Sequence, residues 1–214
     1  MPQAHSIPKA TVGRLSLYLR EVTDLAKKGV KTVSSSRLAM RLGFTDAQVR
    51  KDLAYFGQFG RPGIGYATGD LVRELKRILG TDRVWDVVLV GAGNLGRALA
   101  AYQGFLRQGF RIAGVFDAAP EKVGERVGSL TVQPMGELAA TVVRTGSRIA
   151  ILCVPPDQVQ KVADLAVSAG VRAFLNFAGA SVSIPPTCVE NSVDLSVRLE
   201  QLSFQLRQMS EKQE

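Results

Sequence analysis

Histidine is almost missing from this chain of 214 residues, His5 being the single one. Enzymes that move a hydride or a proton need a positioned acid or base, and histidine is the commonest choice, so a catalytic reading lacks its usual candidate. Cysteine is scarce too, with Cys153 inside the apolar run IAILCV and Cys188 behind a Pro-Pro pair. Two thiols build no disulfide framework and fit a reducing compartment. No apolar run approaches the roughly 20 residues that span a bilayer. The N-terminal MPQAHSIPKATVGR also lacks the continuous apolar segment of a secretory signal. These absences predict a soluble, cytoplasmic protein with neither a membrane nor a metal as partner.

Acidic residues are sparse in one part only. The net charge is +8, and residues 1–80 hold 14 Lys and Arg against 6 Asp and Glu, so the whole excess lies there. Residues 81–214 balance to zero, with 13 of each sign. A basic face confined to one end can attract a polyanion through phosphate contacts and counterion release. At 46% hydrophobic and 21% charged residues, the chain has the composition of one large globular domain or two smaller ones.

Between Ile7 and Lys28, Val12, Leu15, Leu19, Val22 and Leu25 recur every three or four positions, the period of a helix with one buried stripe. Ser34, Ser35 and Ser36 offer an N-cap to the short helix RLAMRLG, closed by Gly43. Thr45 caps a third, DAQVRKDLAYF, with Val49, Leu53 and Phe56 inward and Gln48, Arg50, Lys51 and Ala54 on the other face. A long helix followed by two short ones around a tight turn is the helix-turn-helix order, whose last helix enters the major groove. Gln48, Arg50 and Lys51 are of the types that bond base edges or phosphates. GQFGRPGIGY then reads as a hairpin wing, where Arg61 can reach a phosphate or the minor groove and Gly63 lets the tip approach a backbone. A small helical domain with a solvated basic face has a similar composition, and the charge asymmetry favours DNA.

After the helix LVRELKRILG, strands alternate with helices. DVVLVG, RIAGVFD, SRIAILCVP and VRAFLNF are short apolar runs, with NLGRALAAYQGF and DQVQKVADLAVSAG as helices between them. Such alternation argues for a mostly parallel sheet flanked by helices. Leu195, Leu199, Leu202 and Leu206 mark a last amphipathic helix.

In VGAGNLGRAL, Gly91, Gly93 and Gly96 fill G-x-G-x-x-G directly after a strand, so Gly91, Ala92, Gly93, Asn94, Leu95 and Gly96 form the candidate pyrophosphate turn. Asp117, 21 residues beyond Gly96 and ending the next strand, supplies the ribose acceptor and would repel a 2′-phosphate. NAD(H) is therefore expected over NADP(H), with Lys122 beside the ribose-binding strand. A glycine turn that only packs, or a site for another nucleotide, stays open. Lys122, Lys161 or Tyr102 could in principle substitute for a histidine, but neither lysine comes with a partner that would make it an acid or base. No catalytic residue is expected.

QVRKDLAYFGQFGRPGIGY, VGAGNLGRALAAYQGF, FDAAPEKVG and FLNFA, in this order and spacing, resemble the Rex family of bacterial redox-sensing transcriptional repressors. The resemblance covers nearly the whole chain. It implies an α/β protein with a winged helix-turn-helix domain over 1–80 and a Rossmann-like, doubly wound parallel sheet domain over 81–192. A C-terminal helix over 193–214 is exchanged between the subunits of a homodimer. It further implies that double-stranded operator DNA is bound when NADH is low and released when NADH rises. Its DNA-binding set is Ser35, Gln48, Arg50, Lys51, Arg61 and Gly63. Tyr102 approaches the nicotinamide, and Asp194 of the partner subunit meets either Tyr102 or Arg20. Three positions depart from many relatives: Leu195 stands for an aromatic residue, Pro62 for a basic one and Ala119 for a second acid. The rival classes are a small NAD-dependent oxidoreductase with a helical dimerisation domain, and a winged-helix regulator whose second domain takes another nucleotide or a coenzyme A ester.

Overall fold

The computed structural model describes residues 7–57, 59–61 and 63–210; His5 and Pro62 lie outside the described residues. The chain divides into two compact units, Met1–Arg83 and Val84–Glu214.

The first unit contains helix α1 (Lys9–Lys27), strand β1 (Thr32–Val33), helices α2 (Ser35–Leu42) and α3 (Asp46–Ala54), strand β2 (Tyr66–Ala67) and helix α4 (Thr68–Leu79). Local chemistry starts the two short helices where expected. The Ser34 hydroxyl accepts the Arg37 N–H, and the Thr45 hydroxyl accepts the Gln48 N–H, each satisfying a first-turn amide that has no intrahelical partner. The core joins Leu15, Tyr18, Val22, Leu38, Val49 and Leu71. On α1 the inward stripe runs through Thr11, Leu15, Tyr18, Val22 and Leu25, while Val12, expected inward, is 41% exposed. Tyr18 fills the stripe because its ring packs edge-on against Phe44 and its hydroxyl finds a buried acceptor.

The expected hairpin wing is smaller than a ladder. It consists of one antiparallel bridge between Arg61 and Gly65, beside the antiparallel pair of β1 and β2. Its glycines do different things. A Cβ at Gly60 would come within 2.8 Å of the Tyr66 ring, and one at Gly65 within 2.5 Å of the Val33 carbonyl oxygen, so these two serve packing. A Cβ at Gly63 would meet nothing within 4 Å, leaving the tip open.

The second unit comprises β3 (Trp85–Val90), α5 (Asn94–Ala100), α6 (Gly104–Arg107), β4 (Phe110–Asp117), β5 (Arg126–Val127), β6 (Leu130–Pro134), α7 (Leu138–Thr145), β7 (Ile149–Leu152), α8 (Val159–Ala169), β8 (Ala173–Asn176), β9 (Val189–Ser192) and α9 (Leu195–Ser210). The sheet order is β5-β6-β4-β3-β7-β8-β9, parallel throughout except for the antiparallel β5–β6 pair. Strand order reverses across β3, which creates a crevice at the carboxyl ends of β3 and β7. Two apolar clusters cover the sheet faces, one around Phe116, Leu138, Leu152 and Phe174, the other around Leu89, Val115, Val132 and Ile151. The segment NLGRALAAYQGF is two helices and not one, because the chain turns at Ala101–Gln103. Strands β5, β6 and β9 and helix α7 were not expected. They are short, and β9 keeps three of its four side chains exposed, so no strong period marks it.

The pairing of β3 with β4 shifts register between Val87 and Val88, next to Gly114. A Cβ at Gly114 would stand 2.8 Å from the Phe116 ring and 3.2 Å from a Thr141 methyl, both fully buried. Gly114→Ala should therefore overpack the central strands and lower stability by about 2 kcal/mol. Urea unfolding of the two chains checks this, and equal midpoints would contradict it.

Candidate functional site

Helix α3 carries the residues expected at a nucleic acid, and the structure sorts them. Lys51 is exposed, and Arg61 is exposed beyond its bridge to Gly65. Arg50 is exposed too, paired with Asp46 one turn earlier and bonded to the Ser35 hydroxyl at 3.3 Å. Arg50, Arg61, Gly63 and Ser35 border one open cleft of about 590 Å³ between α3 and the wing, with Leu53, Phe59 and Tyr66 as its apolar wall. Two guanidinium groups at the rim of an open cleft suit an anionic backbone. Gln48 differs from its neighbours. It is half-buried, and its side-chain amide donates to Asp52 at 2.8 Å.

Asp52 was missed. It lies on α3 between Val49 and Leu53, on the inward stripe, and is fully buried. Arg14 of α1 donates to both of its oxygens, at 2.6 and 2.8 Å, and Tyr18 donates its hydroxyl at 2.8 Å. Burial pushes the Asp52 pKa up, but the bonds from Arg14, Tyr18 and Gln48 outweigh it and hold the carboxyl below its ordinary value. Burial, and then the bond to Asp52, push the Tyr18 hydroxyl well up. The signal was in the sequence: an acid at a position that the helical period assigns to the core needs donors, and α1 supplies them.

In the second unit the glycine turn follows β3 and enters α5. Gly91 has φ 102°, a region open to glycine, and a Cβ there would overlap the Cys153 carbonyl. A Cβ at Gly96 would overlap the Gly91 carbonyl oxygen, so the third glycine lets the helix close onto the turn. At Gly93 a Cβ meets nothing within 4 Å. The amides of Gly93, Asn94 and Leu95 precede the first bond of the helix, from the Arg97 N–H to the Gly93 carbonyl. Leu95 and Asn94 are exposed.

Asp117 ends β4 beside this turn, 8% exposed. One oxygen accepts the Ala92 N–H at 2.6 Å and the Lys122 ammonium at 3.2 Å; the other accepts the Ala119 N–H at 2.9 Å. Burial raises its pKa, and the Ala119 and Ala92 amides with Lys122 more than reverse the effect, so the group stays ionised well below neutrality. Asp117, Lys122, Gly91 and Gly93 line a cleft of about 520 Å³ with Cys153, whose thiol is pushed up to about 11 by burial and is no nucleophile at neutral pH.

Tyr102 is more than half exposed, edge-on to Phe105, and its ring occupies the space where a Gly104 Cβ would stand. Asp194 caps α9, accepting the Ser196 and Val197 amides. Arg20 is exposed on α1. Every residue from Asp194 to Ser210 is exposed, Leu195, Leu199, Leu202 and Leu206 among them. A second hub was missed at Asn176, fully buried at the end of β8. Its side chain donates to the Ala180 carbonyl and to Glu190 and accepts the Ala178 N–H, which fixes the loop leaving the sheet.

Residues 6–54 match the family described as putative DNA-binding protein N-terminus, and residues 82–180 match the CoA binding domain. Among curated proteins, the redox-sensing transcriptional repressor Rex of Desulforamulus reducens is 48% identical over 95% of this chain and 97% of its own. That of Carboxydothermus hydrogenoformans is 46% identical over 94% and 97%. Among solved structures, RSP in complex with β-NAD⁺ and operator DNA superposes with a TM-score of 0.90 at 35% identity, covering 97% of this chain and 95% of that one. RSP in complex with β-NADH gives 0.86 at 33% identity, with 98% and 99% covered.

The bond from Ala92 to Asp117 can be tested without any ligand. In Asp117→Ala the Ala92 amide loses a charged, buried acceptor and should exchange its hydrogen about tenfold faster. Hydrogen exchange followed by NMR reads it, and an unchanged rate would show that the turn is held otherwise.

Proposed function

The chain belongs to the Rex family of redox-sensing transcriptional repressors, and on that premise we propose that it occupies operator DNA when NADH is low and leaves it when NADH binds. The observation that carries the reading is the cleft around Gly93, open where a pyrophosphate would lie and bordered by the ionised Asp117. Asp117 takes a ribose hydroxyl and disfavours a 2′-phosphate, which selects NAD(H). Ala92, Asn94, Leu95 and Gly96 shape the pyrophosphate turn, and Lys122 steadies Asp117. The cofactor is measured and left unreacted, a reading that the naming of the relatives as repressors and the protonated Cys153 thiol in the cleft support.

DNA is met by the first unit. Lys51, Arg50 and Arg61 take phosphates or base edges, with Ser35 and Gly63 at the rim of the cleft that Arg50 and Arg61 border. The working form is a homodimer in the cytoplasm. A 16-residue helix with Leu195, Val197, Leu199, Leu202, Phe204, Leu206 and Met209 all exposed is a poor solvent-facing surface and a good one for a second copy. NADH and NAD⁺ share their adenosine and pyrophosphate contacts, so only contacts near the nicotinamide can shift the equilibrium. Moving it from 99:1 to 1:99 takes about 5.5 kcal/mol, which two sites in a dimer share. Tyr102 and Asp194 of the partner subunit, with Arg20 as the alternative partner of that carboxylate, form the bistable element.

The test is binding to a palindromic operator during titration with NADH, NAD⁺, NADPH and coenzyme A. NADH should release the DNA and NAD⁺ should not; release by coenzyme A alone would replace the redox reading. Lys51→Ala should weaken operator binding and lower the magnitude of the salt slope by about 1, as the loss of one phosphate contact requires. An unaltered slope would remove Lys51 from the backbone.

A further inference from the structure

Thr45-Asp46-Ala47-Gln48 has the spacing of a capping box, in which the fourth side chain reaches back to the helix start. Only half of the box forms. The Thr45 hydroxyl accepts the Gln48 N–H at 3.1 Å, but the Gln48 carboxamide runs forward along α3 and donates Nε2 to Asp52 Oδ1 at 2.8 Å. Asp52 Oδ1 also receives Arg14 at 2.8 Å and the Thr11 hydroxyl at 3.4 Å, while Oδ2 receives Arg14 and Tyr18. A carboxylate held ionised by a guanidinium fork can only accept. The amide nitrogen of Gln48 must therefore face it, since the reverse orientation would set two acceptor oxygens against each other. Gln48 Oε1, on the other branch of the carboxamide, accepts no hydrogen bond from the described residues and is not buried.

We propose that Asp52 fixes the polarity of the Gln48 carboxamide and so makes Gln48 a reader of adenine in the operator's major groove. The assignment rests on the repressor reading above and adds the base that one residue selects. A carbonyl oxygen directed outward bonds a base-edge amino group, which in the major groove means adenine N6 or cytosine N4; guanine and thymine present acceptors there. The amide nitrogen keeps a second hydrogen beyond the one given to Asp52. Adenine N7 accepts it and cytosine has no equivalent, which decides for adenine. Asp52 is a positioning residue: it is fully buried and works only through Gln48.

The experiment is selection of bound duplexes from a pool randomised across the operator, with the full-length chain and no NADH, followed by the relative affinities of single-base variants. The unaltered chain should prefer adenine about tenfold at one position of each half-site. Gln48→Met, of similar length and without polar atoms, should erase that preference and leave the others. Asp52→Asn, whose carboxamide can donate as well as accept, should let Gln48 turn and admit guanine at the same position. Thermal melting reports whether Asp52→Asn folds, and Gln48→Met decides the matter if it does not. Wild-type preferences at every position in Gln48→Met would overturn the proposal, as would loss in Gln48→Met with full retention in a folded Asp52→Asn. Failure of the unaltered chain to select any sequence would overturn the repressor reading together with it.

Discussion

A buried carboxylate without its proton must be surrounded by donors, and each unit of this protein is organised around one. Asp52 draws a guanidinium and a phenol from α1 and an amide from its own helix, so α3 is tied to the helix that supports it. Asp117 draws two backbone amides and an ammonium, and thereby fixes the glycine turn to the neighbouring strand. Breaking such a set by removing the acid leaves several polar groups without partners at once, which makes the constraint stronger than any single bond in it. Both carboxyls are held below their ordinary pKa. Their contribution is complete above the unfolded carboxyl pKa, near about 4, and fades as the pH falls below that value.

What could be read from the sequence was local or fixed in spacing. Ser34 and Thr45 cap their helices because a hydroxyl three residues before an amide decides the matter on the spot. The adjacency of the glycine turn and Asp117 was legible because the offset between them is set by two short helices and one strand. The partners of Asp52 were not, since Thr11, Arg14 and Tyr18 come from 34 to 41 positions away. Val12 failed for a related reason. Its position suits an apolar stripe, but Tyr18 takes the inward side once a buried acceptor exists for its hydroxyl. Helix α7, LAATVVRT, has the β-branched content of a strand and is helical through its packing onto the sheet, with Leu138 and Val142 buried.

The terminal helix shows the opposite limit. Its leucine period was plain in the sequence, yet the side chains it predicts as inward are exposed within one chain. A period specifies that a face will be covered and says nothing of which chain covers it. Where a second copy covers such a face, the stability of a unit depends on association.

The bond from Ala92 to Asp117 ties the glycine turn to the end of β4 and so shapes the cleft between them. A turn held by such a bond has less conformational freedom to lose when a ligand settles on it, which lessens the entropic cost of binding. A turn organised in advance also leaves the rate of arrival to diffusion and orientation, so that differences in affinity fall mainly on departure. In those terms the bond from Ala92 to Asp117 bears on response speed: the faster a ligand can leave the turn, the faster the site follows a changing concentration.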